Sequence, residues 1–231
     1  MISCSVVIPV WNAERTIAEA IRSVQEQTLP PAEILVVNDG STDGTVAVVE
    51  ELAAAASPAM PVRLLHQANA GPGSATSHGV AEAGQPLVAT LDADDLWISH
   101  KLERQMARLS ADPQLVLVAA RMQAFAHGEP PDPAAPARSG LVRSTLVFQR
   151  RLLEVIGPFH DPPGGVGDVV DWLGRLRQQG LAMAELPEVL ALRRILPGSL
   201  SHRSRQAMAG AFLAVAHQAL RRRNGDGAGS D

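Results

Sequence analysis

Unbroken apolar runs alternate with amphipathic stretches over the first 110 positions. Ser5-Val-Val-Ile-Pro-Val10 has the pattern of a strand buried on both faces. Pro9 has no N–H to give a ladder, so the strand should end or turn irregular there. Asn12 is a helix-capping residue type. Ile17, Ile21 and Val24 then recur at spacings of four and three, one face of a helix that Pro30-Pro31 stops. The cycle repeats with a strand at Glu33 to Asn38, a turn at Asp39-Gly-Ser-Thr-Asp-Gly-Thr45 and a helix facing inward through Val46, Val49 and Leu52. It repeats again with a strand at Val62 to His66, a loop at Asn69 to Ser74 and a helix over Ala75 to Ala83. A fourth apolar run, Leu87 to Leu91, stops at three carboxylates: Asp92, Asp94 and Asp95.

Strand alternating with helix predicts an α/β fold with a doubly wound, mostly parallel central sheet flanked by helices. Such sheets bind ligands beyond the carboxyl ends of their strands. Asn12, Asp39 to Thr45, Asn69 to Ser74 and Asp92 to Asp95 all fall on that rim. The acid cluster taken alone has two readings. Neighbouring like charges raise each other's pKa and call for a counter-charge, which a divalent cation supplies through hard oxygen ligands. A solvated turn before a helix N-terminus also favours Asp. Four polar strand ends on one rim favour the binding site.

The later chain is less regular. A helix is predicted over His100 to Ser110, a strand over Leu115 to Ala119, and a proline-rich loop over 127–140. Leu141 to Phe148 reads as a strand and Gln149 to Ile156 as a helix. A glycine-rich turn over Pro162 to Gly167 then precedes a helix from Asp168 to about Gln179, and Val189 to Ile195 reads as a late strand. Met208, Phe212, Val215 and Leu220 give an amphipathic helix over 203–223, and 224–231 is expected to be a disordered tail.

The chain has 231 residues, 46% hydrophobic and 19% charged, enough for one sizeable core. A net charge of -4 carries no nucleic-acid footprint, and a 3% aromatic content without tyrosine argues against base stacking. A lone cysteine, Cys4, excludes an internal disulfide and fits a reducing, cytoplasmic setting. No apolar run approaches a membrane span, and no secretory leader is recognisable. The arginines at 203, 205 and 221–223 read as a solvated helix face, or as a weak peripheral contact with anionic lipid.

Ser5-Val-Val-Ile-Pro-Val-Trp-Asn12, Val37-Asn-Asp-Gly-Ser-Thr-Asp-Gly-Thr45, Asn69-Ala-Gly71 and Leu91-Asp-Ala-Asp-Asp95, in this order and spacing, resemble the family-2 glycosyltransferases of the GT-A fold. Val155-Ile-Gly-Pro-Phe159 and Asp171-Trp-Leu-Gly-Arg-Leu176 extend the likeness loosely. The resemblance implies one domain over 1–223, with a nucleotide-sugar-binding half to 110 and an acceptor half over 111–202. It implies transfer of a sugar from a nucleotide-diphospho-sugar, UDP-type by default, to an acceptor hydroxyl, with inversion and with Mn2+ or Mg2+. It places Pro9, Val10, Trp11, Asn12, Glu14, Asn38, Asp39, Asn69, Gly71, Asp92, Ala93 and Asp94 at the nucleotide sugar. Asp92, Asp94 and Asp95 are the implied metal residues.

Two departures stand out. The family's base is usually the aspartate of a Glu-Asp pair, which falls here on Asp168-Val169, so Val169 takes the usual base position and Asp168 and Asp171 are the candidates to serve instead. Both are also ordinary first-turn helix residues. The arginine common in the helix after Asn69 is missing from Ala75-Thr76-Ser77, and His78, Arg193 or Arg194 are the available substitutes. These departures sustain a second reading, a domain of the same fold that binds a nucleotide sugar or a partner protein without turnover. A dinucleotide fold is disfavoured, because Gly71-Pro-Gly73 lacks the third glycine and follows the third strand.

Overall fold

β1 (Cys4–Val10) and β2 (Glu33–Asp39) are buried along their whole length and pair in parallel, from Ser5 opposite Glu33 to Val10 opposite Asn38. The structure is a computed structural model and describes residues 3–162 and 167–196. The turn at 163–166, the segment 197–202, the expected helix over 203–223 and the tail lie outside the described residues. β3 (Val62–Gln67) extends the sheet beyond β2, and β4 (Leu87–Thr90) lies on the other side of β1, both parallel. α1 (Ile17–Gln25), α2 (Thr45–Ala55) and α3 (Pro72–Glu82) are the crossovers. Alternate residues of β1 feed two cores. Val6 and Ile8 pack with Ile17, Ile21 and Val24 of α1, while Val7 packs with Ala75 and Val80 of α3. α3 lies so close to the sheet that a Cβ at Gly79 would stand 2.4 Å from Val7 Cγ1.

The second half turns the sheet mixed. β5 (Leu96–Trp97) and α4 (Lys101–Ala111) lead to β6 (Leu115–Ala126); β7 (Val147–Gln149) follows after the proline-rich loop. α5 (Leu152–Val155), α6 (Asp168–Gln178) and β8 (Ala182–Ile195) complete the described chain. The eight strands run β3-β2-β1-β4-β7-β6-β8-β5. β7 is antiparallel to both β4 and β6, β8 is parallel to β6, and β5 is antiparallel to β8.

Several sequence expectations change here. Asn12 is not the cap of α1, which starts at Ile17 behind Thr16. Asn12 instead adopts φ 48°, and its Oδ1 accepts the Thr42 N–H at 2.8 Å, tying the loop after β1 to the loop after β2. α3 begins three residues before the predicted Ala75, at Pro72, whose fixed φ suits a first helical position. The predicted strand over 141–148 splits into a 3-10 turn, Arg143–Thr145, and β7. There the Thr145 hydroxyl bonds to the Gly140 and Val142 carbonyls, the local competition by which Thr disrupts a ladder. The helix predicted over 149–156 shrinks to α5. β8 is twice the predicted length, because the register steps from Ala120↔Leu186 to Arg121↔Val189 and lets Pro187-Glu188 bulge out.

α6 is fixed to β7 by an aromatic cluster. Trp172 stacks on Phe159 at 4.3 Å and meets Phe148 at 4.9 Å, and its Nε1 donates to the Gly157 carbonyl at 3.0 Å. A costlier feature is Lys101. Its side chain is fully buried, its ammonium lies 4.0 Å from the Trp97 ring centroid, and Nζ has no hydrogen-bond partner among the described residues. Burial pushes Lys101 down to about 7, against a weaker upward pull from Cys4. Burial pushes the Cys4 thiol up to about 12.

The unfolded chain therefore binds more protons than the folded one at Lys101 from about pH 7 up to the ordinary lysine value near ~10.4, and this contribution to stability grows as pH rises through that window. Below pH 7 the full cost of the buried charge is present. Lys101→Met is expected to raise the unfolding free energy by roughly 1–4 kcal/mol at pH 6. The gain should shrink between pH 7 and 9, as read by urea unfolding across that range. A destabilised variant, or a gain independent of pH, would show that the amine is not held neutral.

Candidate active site

The carboxyl ends of β1, β2 and β4 open into one cavity of about 800 Å3. From the loop after β1 it is lined by Pro9, Val10, Trp11, Asn12 and Glu14, and from the next two loops by Asp39, Asp43, Asn69 and Gly71. Asp92, Ala93, Asp94 and Asp95 line it after β4. The far side is formed by Leu141, Val142, Arg143, Gly167, Asp168, Val169, Val170, Arg193 and Leu196. Of the residues expected at the site, Asn38 and Asp171 are not in the lining. Asn38 Oδ1 accepts the Ser41 N–H at 2.9 Å, and its amide meets His66 at 3.3 Å, so it shapes the turn. Asp171 accepts from Arg175 Nε at 3.1 Å, one helical turn on.

Loops around the donor end are locked by side-chain oxygens. Asp39 Oδ1 accepts the Ala70 N–H at 2.8 Å and Oδ2 the Gly71 N–H at 2.9 Å. Gln67 Nε2 donates to Asp39 Oδ1 at 2.8 Å, and Gln67 Oε1 lies 3.1 Å from His78 Nδ1. His78 thus supports Asp39 through Gln67 and is absent from the cavity lining. Glu14 Oε2 accepts the Gly44 N–H at 2.8 Å. Trp11 stands at the rim, 58% exposed.

The three acids after β4 face different partners. Asp95 is buried, with Oδ2 accepting the Ser144 hydroxyl at 2.5 Å and Oδ1 the Arg194 N–H at 3.0 Å. Burial, with the charges of Asp92 and Asp94, holds its carboxyl well above the usual range. Asp92 pairs with Arg143. All three line the cavity, and Asp94 is the one whose carboxyl has no ion pair or hydrogen bond to another described residue. Burial and then Asp92 push it up to about 6, while Arg193 and Arg194 draw it back. Arg193 lines the cavity, whereas Arg194 frames the acid loop: its Nε donates to the Asp94 carbonyl at 2.9 Å and Nη2 pairs with Glu19 at 2.6 Å.

Arg143 is the residue that the sequence reading missed. It lies buried in the 3-10 turn, with Nη1 on Asp92 and Nη2 on Asp168. Burial opposes its charge, but Asp92 and Asp168 outweigh that and stabilise the cation. Asp168 is raised by burial, lowered by Arg143 and raised again by Asp92, ending above its ordinary value. The available signal was an arginine inside the apolar stretch Leu141 to Phe148, since a buried guanidinium needs carboxylate partners.

Among the described residues, no group of three or more His, Cys, Asp and Glu side chains is disposed to hold a metal ion. Mg2+ needs no such cage, because it binds through one or two carboxylates together with substrate phosphates and water. Asp94 fits that pattern as a hard oxygen donor in the cavity lining with no side-chain partner among the described residues.

The sequence matches the glycosyl transferase family 2 model over residues 5–160. The chain belongs to this family. An uncharacterized glycosyltransferase of Nostoc sp. is 43% identical over 100 residues, 43% of this chain and 30% of the relative. YibD of Escherichia coli (strain K12), also an uncharacterized glycosyltransferase, is 44% identical over 91 residues, 39% of this chain and 26% of the relative. The matched stretch is thus under a third of either relative's length. Two solved structures share the architecture. S. aureus TarS 1-349 in complex with UDP-GlcNAc superposes with a TM-score of 0.70 at 19% identity, over 88% of this chain and 61% of that one. The mannosyltransferase PcManGT from Pyrobaculum calidifontis, in complex with GDP-Man and Mn2+, gives 0.74 at 22% identity, over 94% and 64%. The fold is GT-A. No helix among the described residues is long and apolar enough to cross a membrane.

Replacing Arg143 by Met strands two carboxylates, and the expected loss is about 3 kcal/mol of unfolding free energy. Adding Asp92→Asn and Asp168→Asn to Arg143→Met should return most of it. Chemical denaturation of the single and triple variants checks this; an unchanged midpoint in Arg143→Met would show that the bridge stabilises nothing.

Proposed function

We propose that this cavity binds a nucleotide-diphospho-sugar with Mn2+ or Mg2+ and transfers the sugar, with inversion, to an acceptor hydroxyl. The observation that carries the reading is Asp94: a carboxylate facing the cavity, raised to about 6 by burial and by Asp92, on a rim shared with Asn12, Asp39 and Asn69. The mannosyltransferase complex with GDP-Man and Mn2+ supports it by fold alone. UDP remains the default nucleotide.

In this reading Asp94 holds the metal, and the metal when bound offsets the negative charge gained by the leaving diphosphate. Asp92 and Asp95 keep the Asp94 loop in place through Arg143, Ser144 and the Arg194 N–H. Arg193 serves as the diphosphate's arginine in place of the one missing from α3. Asp168 takes the acceptor proton as the new bond to the anomeric carbon forms and the bond to the diphosphate breaks. Asp168 is preferred to Asp171 because it lines the cavity and its carboxyl is raised, the direction a base at neutral pH needs.

One observation favours the reading without turnover. Val169, at the usual base position, is 7% exposed and belongs to the Trp172 core, and Asp168 is already paired with Arg143. A thermal-shift panel of UDP-glucose, UDP-GlcNAc and GDP-mannose with Mn2+ identifies the donor, since a bound ligand raises apparent stability.

Asp94→Ala is expected to weaken donor binding with Mn2+ present by at least ~10-fold, about 1.4 kcal/mol by calorimetry; unchanged affinity sinks the metal assignment. Asp168→Asn should lower the transfer rate by roughly 100-fold or more at nearly unchanged donor affinity. Asp171→Asn should act mainly on stability. If the donor binds tightly yet neither transfer nor hydrolysis is detected in the native protein, the binding reading wins.

A further inference from the structure

The two sides of the cavity differ in chemistry. The loops after β1 to β4 present Asn12, Glu14, Asp39, Asn69 and Asp94 beside the apolar Pro9, Val10 and Trp11. The side around the candidate base presents Leu141, Val142, Val170 and Leu196, all only partly buried, with Val169 behind them. Several polar groups nearby are committed elsewhere, although Arg143 Nε has no partner among the described residues. Arg143 gives both terminal nitrogens to Asp92 and Asp168. The Ser144 hydroxyl serves Asp95, and the Thr145 hydroxyl bonds to the Gly140 and Val142 carbonyls. Among the described residues this side carries no amide side chain and no aromatic ring, and its charged groups are Arg143, Asp168 and Arg193.

A free sugar in such a place would leave several hydroxyls against Leu and Val without partners, which polar groups resist. A hydroxyl on an apolar body needs one polar contact, to the base, and gains from burying the rest. We propose that the acceptor is an alcohol whose hydroxyl is carried on an aliphatic body, which packs against Leu141, Val142, Val170 and Leu196 and directs its oxygen to Asp168. The inference rests on the transferase reading and adds the acceptor class. Balance is simple: the alcohol oxygen bonds to the anomeric carbon, its proton passes to Asp168, and the nucleoside diphosphate leaves with the electron pair of the broken bond.

The test uses the full chain with Mn2+ and the donor from the thermal-shift panel, with ethanol, 1-butanol and 1-hexanol as acceptors against glucose and glycerol. Transfer efficiency is expected to rise about 3–4-fold per methylene along the alcohols, and 1-hexanol should exceed glucose and glycerol. Val170→Asn should lower kcat/KM for 1-hexanol at least ~5-fold, its donor affinity staying within about 2-fold, as expected when a buried apolar contact is replaced by a polar one. Leu196→Asn, on a different element, gives the same reading should Val170→Asn fail to fold. A flat chain-length series, or glucose or glycerol as the better acceptor, overturns the proposal. Donor affinity and donor hydrolysis are followed in the same samples, so an absent donor signal marks failure of the transferase reading instead. In that case, or if the donor binds without turnover, NMR titration with 1-hexanol against glucose reads the preference directly, and preference for glucose or no preference counts against it.

Discussion

A guanidinium buried between two carboxylates joins the halves of this molecule. Taking Arg143 out of water is unfavourable by itself, and only its pairing with both Asp92 and Asp168 makes the position tenable. The requirement fixes geometry as well as charge. Asp92 follows β4 and Asp168 opens α6, so the arginine must sit where both can reach it. The 3-10 turn supplies that place, and its neighbours hold it there. Thr90 donates its hydroxyl to the Arg143 carbonyl at 2.7 Å, Trp97 Nε1 donates to the Ser144 carbonyl at 2.7 Å, and Gln105 Nε2 donates to the Thr145 carbonyl at 2.7 Å. The acid loop, the candidate base and the sheet's second half are therefore one electrostatic unit.

This unit divides labour among residues that look alike in sequence. Asp92, Asp94 and Asp95 all line the cavity, yet the first is paired with an arginine, the third is engaged by a hydroxyl and a backbone N–H, and the second has no side-chain partner among the described residues. Arg193 and Arg194 are adjacent in a strand, where side chains alternate between faces. One consequently lines the cavity and the other stacks over the Phe125 ring and binds the acid loop.

The first half of the fold was readable because its signals are local. Buried parallel strands are apolar runs and their crossovers have helical periodicity, so β1 to β4 and α1 to α3 emerge within a few residues. The polar strand ends followed from the sheet rule, and most of the residues named from them line the cavity. The second half resisted because its determinants are distant. Arg143 inside Leu141 to Phe148 signals a need for carboxylates, but nothing local says that they are Asp92 and Asp168 or that the chain turns to meet them. Nothing local to Pro187 says that a bulge will absorb it and let β8 run alongside β6. The choice between Asp168 and Asp171 was equally closed to sequence, since three residues apart on a helix they share a face, and only tertiary placement separates cavity from Arg175.

Asp161 occupies the backbone N–H groups at the start of α3, beside the cavity. Its two carboxylate oxygens accept the Gly73 and Ser74 N–H groups at 2.8 and 2.7 Å, and Ser77 accepts the Phe159 N–H at 2.8 Å. A Cβ at Gly71, which holds φ 101°, would come within 2.5 Å of the Asp161 carboxyl carbon, so Asp161 lies directly on the helix start. Free backbone N–H groups at a helix start are a ready cradle for phosphate. Here the protein's own carboxylate fills that cradle and uses it as an internal fastener. Any phosphate entering the cavity is left to find its counter-charge elsewhere in the lining, as at Arg193 of β8.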